Sequence, residues 1–125
     1  MKKQIHSDSA PKAIGPYSMA VESDDFIYTS GQLGLDPATG KLVSDDVEGQ
    51  ATQVMKNLEA VLKAAHLTFD NVIKTTIFCV NLADFPKINK IYGSFLKEPY
   101  PARSTVQVAA LPLSGLIEIE MIAKK

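Results

Sequence analysis

The 125-residue chain has one cysteine, two histidines and no long apolar run. Each scarcity excludes a class of protein. With Cys79 alone, an intrachain disulfide is impossible, and the chain fits a reducing compartment. A membrane-spanning helix needs a run of ~18 apolar residues, and none is present. Residues 1–13 are polar and lack the apolar stretch of a secretory signal, so a cytoplasmic location is expected. His6 and His66 belong to no Cys/His/carboxylate cluster with ligand spacing, which argues against a metal site. There is no G-x-G-x-x-G, no P-loop, no internal repeat and no linker. Thirteen Lys and Arg nearly cancel 14 Asp and Glu, so the clustered basic surface of a nucleic-acid binder is not expected either.

What is present suits one domain over residues 1–125, with 46% hydrophobic residues to fill a core. Ile5 can start a short edge strand. Ile14-Gly15-Pro16-Tyr17 is a turn signature. Tyr17 to Val21 and Phe26 to Ser30 read as a hairpin around Ser23-Asp24-Asp25, ended by Gly31. A turn at residues 36–40 leads to Ser44-Asp45-Asp46, suited to capping a helix. Val47, Ala51, Val54, Met55, Leu58, Val61, Leu62 and Ala65 then form one apolar stripe of a helix that faces a core. Gly usually follows such a helix in the left-handed conformation; here His66 stands there, as a capping or surface residue.

Val72 to Leu82 reads as one long strand, with Phe78, Val80 and Leu82 on one face and Ile73, Ile77 and Cys79 on the other. Both faces are largely apolar, as in a strand covered on both sides. Two helices can cover only one face of a sheet this size, so another subunit is the simplest cover for the second. Asp84 and Pro86 open a second helix, whose stripe is Ile88, Ile91, Tyr92, Phe95 and Leu96. Pro99 and Pro101 end it. The element order is β-β-α-β-α-β-β, an α+β mixed sheet.

Residues 101–121 read as two more strands joined by a Pro/Gly turn. Val106 and Val108 alternate with Arg103, Thr105 and Gln107; Ile117, Ile119 and Met121 alternate with Glu118 and Glu120. The apolar sides are expected to share the core, which would put the arginine and both glutamates on one polar face. Such a face is either solvated or a site for a small anion, since a guanidinium fork matches a carboxylate. In an ideal hairpin turning near Leu113, Arg103 and Glu118 would be roughly 16 Å apart. A site using both therefore needs a bent register or a neighbouring subunit.

Ile14-Gly15-Pro16-Tyr17-Ser18, Thr29-Ser30-Gly31-Gln32, Val72-Ile73-Lys74-Thr75-Thr76, Pro101-Ala102-Arg103-Ser104 and Ile117-Glu118-Ile119-Glu120 follow one another along nearly the whole chain. Together they resemble the Rid family, the reactive intermediate deaminases also called the YjgF family, and Arg103 points to its RidA branch. The resemblance implies a chorismate-mutase-like fold with two helices on one sheet face and the other face in a homotrimer interface. It implies hydrolysis of 2-aminoacrylate and related enamine or imine acids to 2-keto acids and ammonia, with no cofactor and no metal. By position, Arg103 would grip the substrate carboxylate, Glu118 would orient or deprotonate water, and Tyr17 would close the cleft. Ser30 and Gly31 would line the pocket, and Thr105 would offer mainly backbone groups. Phe85 and Asn89 would edge the cleft, and Glu120 would support.

The chemistry suits these residues. An imine carbon is already electrophilic, so hydrolysis needs a held acid, a placed water and a proton carrier. Two other functions remain open: a regulatory or chaperone-like module binding a small ligand in the same cleft, and the RNA-cleaving activity of some relatives. The balanced charge and the lack of a histidine acid/base pair oppose the second.

Overall fold

An aspartate before an apolar stripe starts the main helix. In the computed structural model, which describes residues 1–125, Asp46 caps α1 (Val47–Ala64) by accepting a hydrogen bond from Gly49 N–H at 2.6 Å. Around α1 the chain runs β1 (Lys3–Ile5), β2 (Ala20–Ser23), β3 (Phe26–Thr29) and β4 (Gln32–Leu33). After it come β5 (Val72–Cys79), α2 (Phe85–Ser94), β6 (Ala102–Gln107) and β7 (Ile117–Lys124). One mixed sheet has the order β1-β2-β3-β7-β5-β6, with β4 also pairing to β7. Both helices pack on the same sheet face. Val54, Met55, Leu58, Val61 and Leu62 of α1 and Ile88 of α2 meet Ile77, Cys79, Ile117, Ile119 and Met121 in one buried cluster. No helix is long and apolar enough to cross a membrane.

The expected hairpin at 101–121 does not form. β6 runs parallel to β5, β7 runs antiparallel to it, and β5 lies between them. A parallel pair needs a crossover, and α2 supplies it. The shared core of that hairpin fails with it. Val106 pairs with Phe78 on the face away from the helices and is 42% exposed.

One residue changes face and two strand boundaries move. Ile73 does not share a face with Ile77, because a bulge between Val72 and Lys74 turns it outward. The strand at 72 stops at Cys79, and Leu82–Asp84 winds into a 3-10 turn whose first N–H is taken by the Gln107 side chain. The hairpin strand begins at Ala20, which leaves Tyr17 in a loop.

Two polar side chains of α1 are buried for a reason the apolar stripe does not show. Asn57 Nδ2 donates to the carbonyls of Leu33 and Leu35, and Gln50 bridges the Ser44 carbonyl and Leu116 N–H. Asn57 satisfies carbonyls in and beside the two-residue strand β4, and Gln50 satisfies backbone groups in the loops before α1 and before β7.

His66 ends α1 with φ of 62° and its N–H bonded to the Lys63 carbonyl. A side chain there is strained where glycine is not. His66→Gly is expected to raise stability by about 1 kcal/mol, measured as a shift in the denaturant midpoint with unchanged slope.

Candidate active site

The residues singled out in the sequence fall into two groups on one chain. Tyr17, Ser30, Gly31 and Glu118 line a groove of about 610 Å³. Arg103 and Asn89 line another of about 440 Å³, together with Tyr92, Tyr100 and Pro101.

In the first groove, β7 alternates apolar residues toward the helices with Glu118 and Glu120 toward the open face. Glu118 is half-buried, and burial, reinforced by the negative charge of Glu120, raises its carboxyl above the ordinary range. It has no ion-pair partner in the chain. Gly31 lies beside it. A Cβ on residue 31 would stand 2.7 Å from the Glu118 carboxylate carbon and 2.9 Å from Cγ, so the carboxylate occupies the space a side chain would fill. Ser30 Oγ donates to the Ser18 carbonyl at 2.6 Å. Ser30 thereby holds the loop that carries Tyr17, whose ring is 49% exposed.

In the second groove, Arg103 sits on β6 opposite Thr75 of β5, on the helix side of the sheet. Its Nη1 donates to Asn89 Oδ1 at 2.7 Å. Its Cζ lies 5.3 Å from the centre of the Phe85 ring and 5.1 Å from that of Tyr92. It too lacks an acidic partner. Thr105, two residues on, faces the same way opposite buried Ile77, and its buried hydroxyl has no hydrogen-bond partner.

The expectation that Arg103, Thr105 and Glu118 share one face is therefore wrong. Glu118 pairs with Phe78, on the face opposite that of the Thr75–Arg103 pair. Two strand spacings and three residues along β5 separate the two side chains' Cα atoms by about 14 Å. Within one chain they cannot hold the same small molecule. The sequence reading placed Tyr92 only in the apolar stripe of α2; it placed Gly31 in the pocket lining, where it lies, without showing that Gly31 leaves room for the Glu118 carboxylate. An aromatic four residues from Phe85-Pro86-Lys87-Ile88, on the Ile88 side of α2, was the available signal for Tyr92.

A family model described as Endoribonuclease L-PSP matches residues 7–125. The crystal structure of a Rid-family protein from Yersinia pestis is 47% identical and superposes with a TM-score of 0.97, covering 100% of both chains. The chain belongs to the Rid family. Among its Rid relatives is a mouse protein named 2-iminobutanoate/2-iminopropanoate deaminase, 49% identical across 98% of this chain and 91% of the mouse protein. Another is the chloroplastic Reactive Intermediate Deaminase A of Arabidopsis thaliana, 50% identical; it is longer, and this chain spans 65% of it. The Rid fold, two helices on a mixed sheet, is the one described above.

The Gly31–Glu118 contact makes a direct test. Gly31→Ala should displace the carboxylate and lower any activity of the site by at least 10²-fold, the scale of losing a general base. Urea unfolding should show an intact fold, because the side chain that must move is at the groove surface.

Proposed function

We propose that this Rid protein is a hydrolase that converts 2-imino acids, including the imine form of 2-aminoacrylate, to 2-keto acids and ammonia. It does so as a cytoplasmic homotrimer in which Arg103 of one subunit meets Glu118 of the next. One observation carries this reading. An arginine and a glutamate, each without an ionic partner, occupy separate grooves on opposite sheet faces about 14 Å apart. Neither groove alone holds both an anion clamp and a base. A head-to-tail ring joins them at every interface.

The joined site has the parts for imine hydrolysis. The guanidinium grips the substrate carboxylate with its free N–H groups and fixes the imine carbon. Glu118 accepts a proton from a water as the water oxygen bonds to that carbon and the C=N π electrons move to nitrogen. The same carboxyl then returns the proton to nitrogen. The carboxylate next takes the proton of the new hydroxyl and passes it to nitrogen, so that the C–N bond breaks as the C=O forms and ammonia leaves. The raised Glu118 carboxyl brings its proton affinity closer to that of a working acid/base. Tyr17, exposed on its loop, closes over the substrate. The unpartnered Thr105 hydroxyl gains a bond from the bound acid, a side-chain role in addition to its backbone groups.

The activity is read with 2-imino acid generated in the cuvette by an amino-acid oxidase, following keto acid and ammonia. The wild type should accelerate both, and Arg103→Ala and Glu118→Gln should each lose at least 10²-fold. Ligand binding without turnover sinks the reading in favour of a regulatory module. Co-assembling the two inactive variants in equal amounts decides where the site lies. An intersubunit site returns roughly a quarter of wild-type activity, since one interface in four pairs an intact arginine with an intact glutamate; a site within one chain returns none. Thr105→Val should raise KM about tenfold if its hydroxyl meets the substrate.

A further inference from the structure

Tyr92 is only 6% exposed and belongs to the apolar stripe of α2, yet it reaches the groove that Arg103 lines. Its hydroxyl shares a 2.7 Å hydrogen bond with Thr75, itself buried on β5. Thr75 is the strand partner of Arg103. The contacts thus form a closed circuit: β5 and β6 pair through their backbones, Thr75 holds the Tyr92 hydroxyl, and the Tyr92 ring lies under the Arg103 guanidinium at 5.1 Å. A tyrosine needed only to fill the core would not require its ring to be fixed at both ends.

We propose that Tyr92 is the positioning residue of Arg103. Its ring, locked by the bond to Thr75, sets the plane in which the guanidinium meets the substrate carboxylate. The inference rests on the reading of Arg103 as the carboxylate clamp and adds to it. An arginine side chain has four soft torsions and loses much freedom when it binds. Asn89 fixes one N–H, and the rings of Tyr92 and Phe85 restrain the guanidinium by cation–π attraction. The other N–H groups are left for the ligand. Ordering the clamp beforehand lowers the cost of binding while leaving the proton transfers at Glu118 untouched.

The test compares Tyr92→Phe, Tyr92→Leu and Tyr92→Met with the wild type as intact assemblies; methionine keeps the core filled should leucine fail to fold. With a 2-imino acid made in situ, KM should rise roughly tenfold in the Leu and Met variants while kcat stays within about twofold. Phenylalanine, which keeps the ring but loses the bond to Thr75, should leave binding weaker than in the wild type but stronger than with leucine or methionine. Binding of 2-ketobutanoate should weaken by the same factor, while binding of its amide, which lacks the carboxylate, should not change. A wild-type KM in the variants that lack the ring, a loss confined to kcat, or equal weakening for acid and amide overturns the proposal. If the wild type hydrolyses no imino acid, the deaminase reading fails, and the binding measurements alone decide the role of Tyr92. A wild type that binds no 2-keto acid overturns this role too.

Discussion

A β-strand has two edges and two faces, and β5 uses all four. One edge takes β6 in parallel and the other takes β7 in antiparallel. Register then decides which residues share a face. Thr75, Ile77 and Cys79 look toward the helices, and their partners Arg103, Thr105, Ile119 and Met121 follow them. Phe78 and Thr76 look away, as do Glu118 and Glu120. A shift of one residue in either pairing would put the arginine among solvent residues or the glutamate in the core. The charge layout of both grooves is thus set by backbone hydrogen bonds far from any substrate.

The glutamate groove depends on a second device. A strand as short as β4 cannot hold itself against a sheet, and α1 supplies what it lacks through Asn57, while Gln50 ties down Leu116 just before β7. These are buried amides within an apolar stripe, and each bonds main-chain groups near the groove. The helix that fills the core also holds the Gln32–Leu35 segment against β7, and with it the neighbouring Gly31 beside Glu118.

Much of this was legible in the sequence, for physical reasons. Helix caps and stripes are local signals, so Asp46 and the stripe of Val54, Leu58 and Leu62 located α1. Turn residues located β2 and β3. Arg103, Glu118 and Tyr17 were picked out by motif, and strand arithmetic kept Arg103 and Glu118 apart even though its hairpin was wrong. Pairing partners were not legible. Two strands in sequence beside a Pro/Gly turn look like a hairpin whether or not a third strand lies between them. Nor was the bulge at Ile73, because periodicity cannot register one extra residue. Buried amides such as Asn57 escaped because their partners are backbone carbonyls more than 20 residues away.

The contact between Gly31 and Glu118 carries a lesson about how such a site can vary. Two positions, one with the largest acidic side chain and one with none, share a single volume. Their substitutions are not independent. Once a methyl group stands at 31, the carboxylate is already displaced, and changing it further costs little. Effects at the two positions therefore combine to less than their sum. The pair behaves as one mutational unit, in which a glycine with no functional group of its own limits what the neighbouring acid can become.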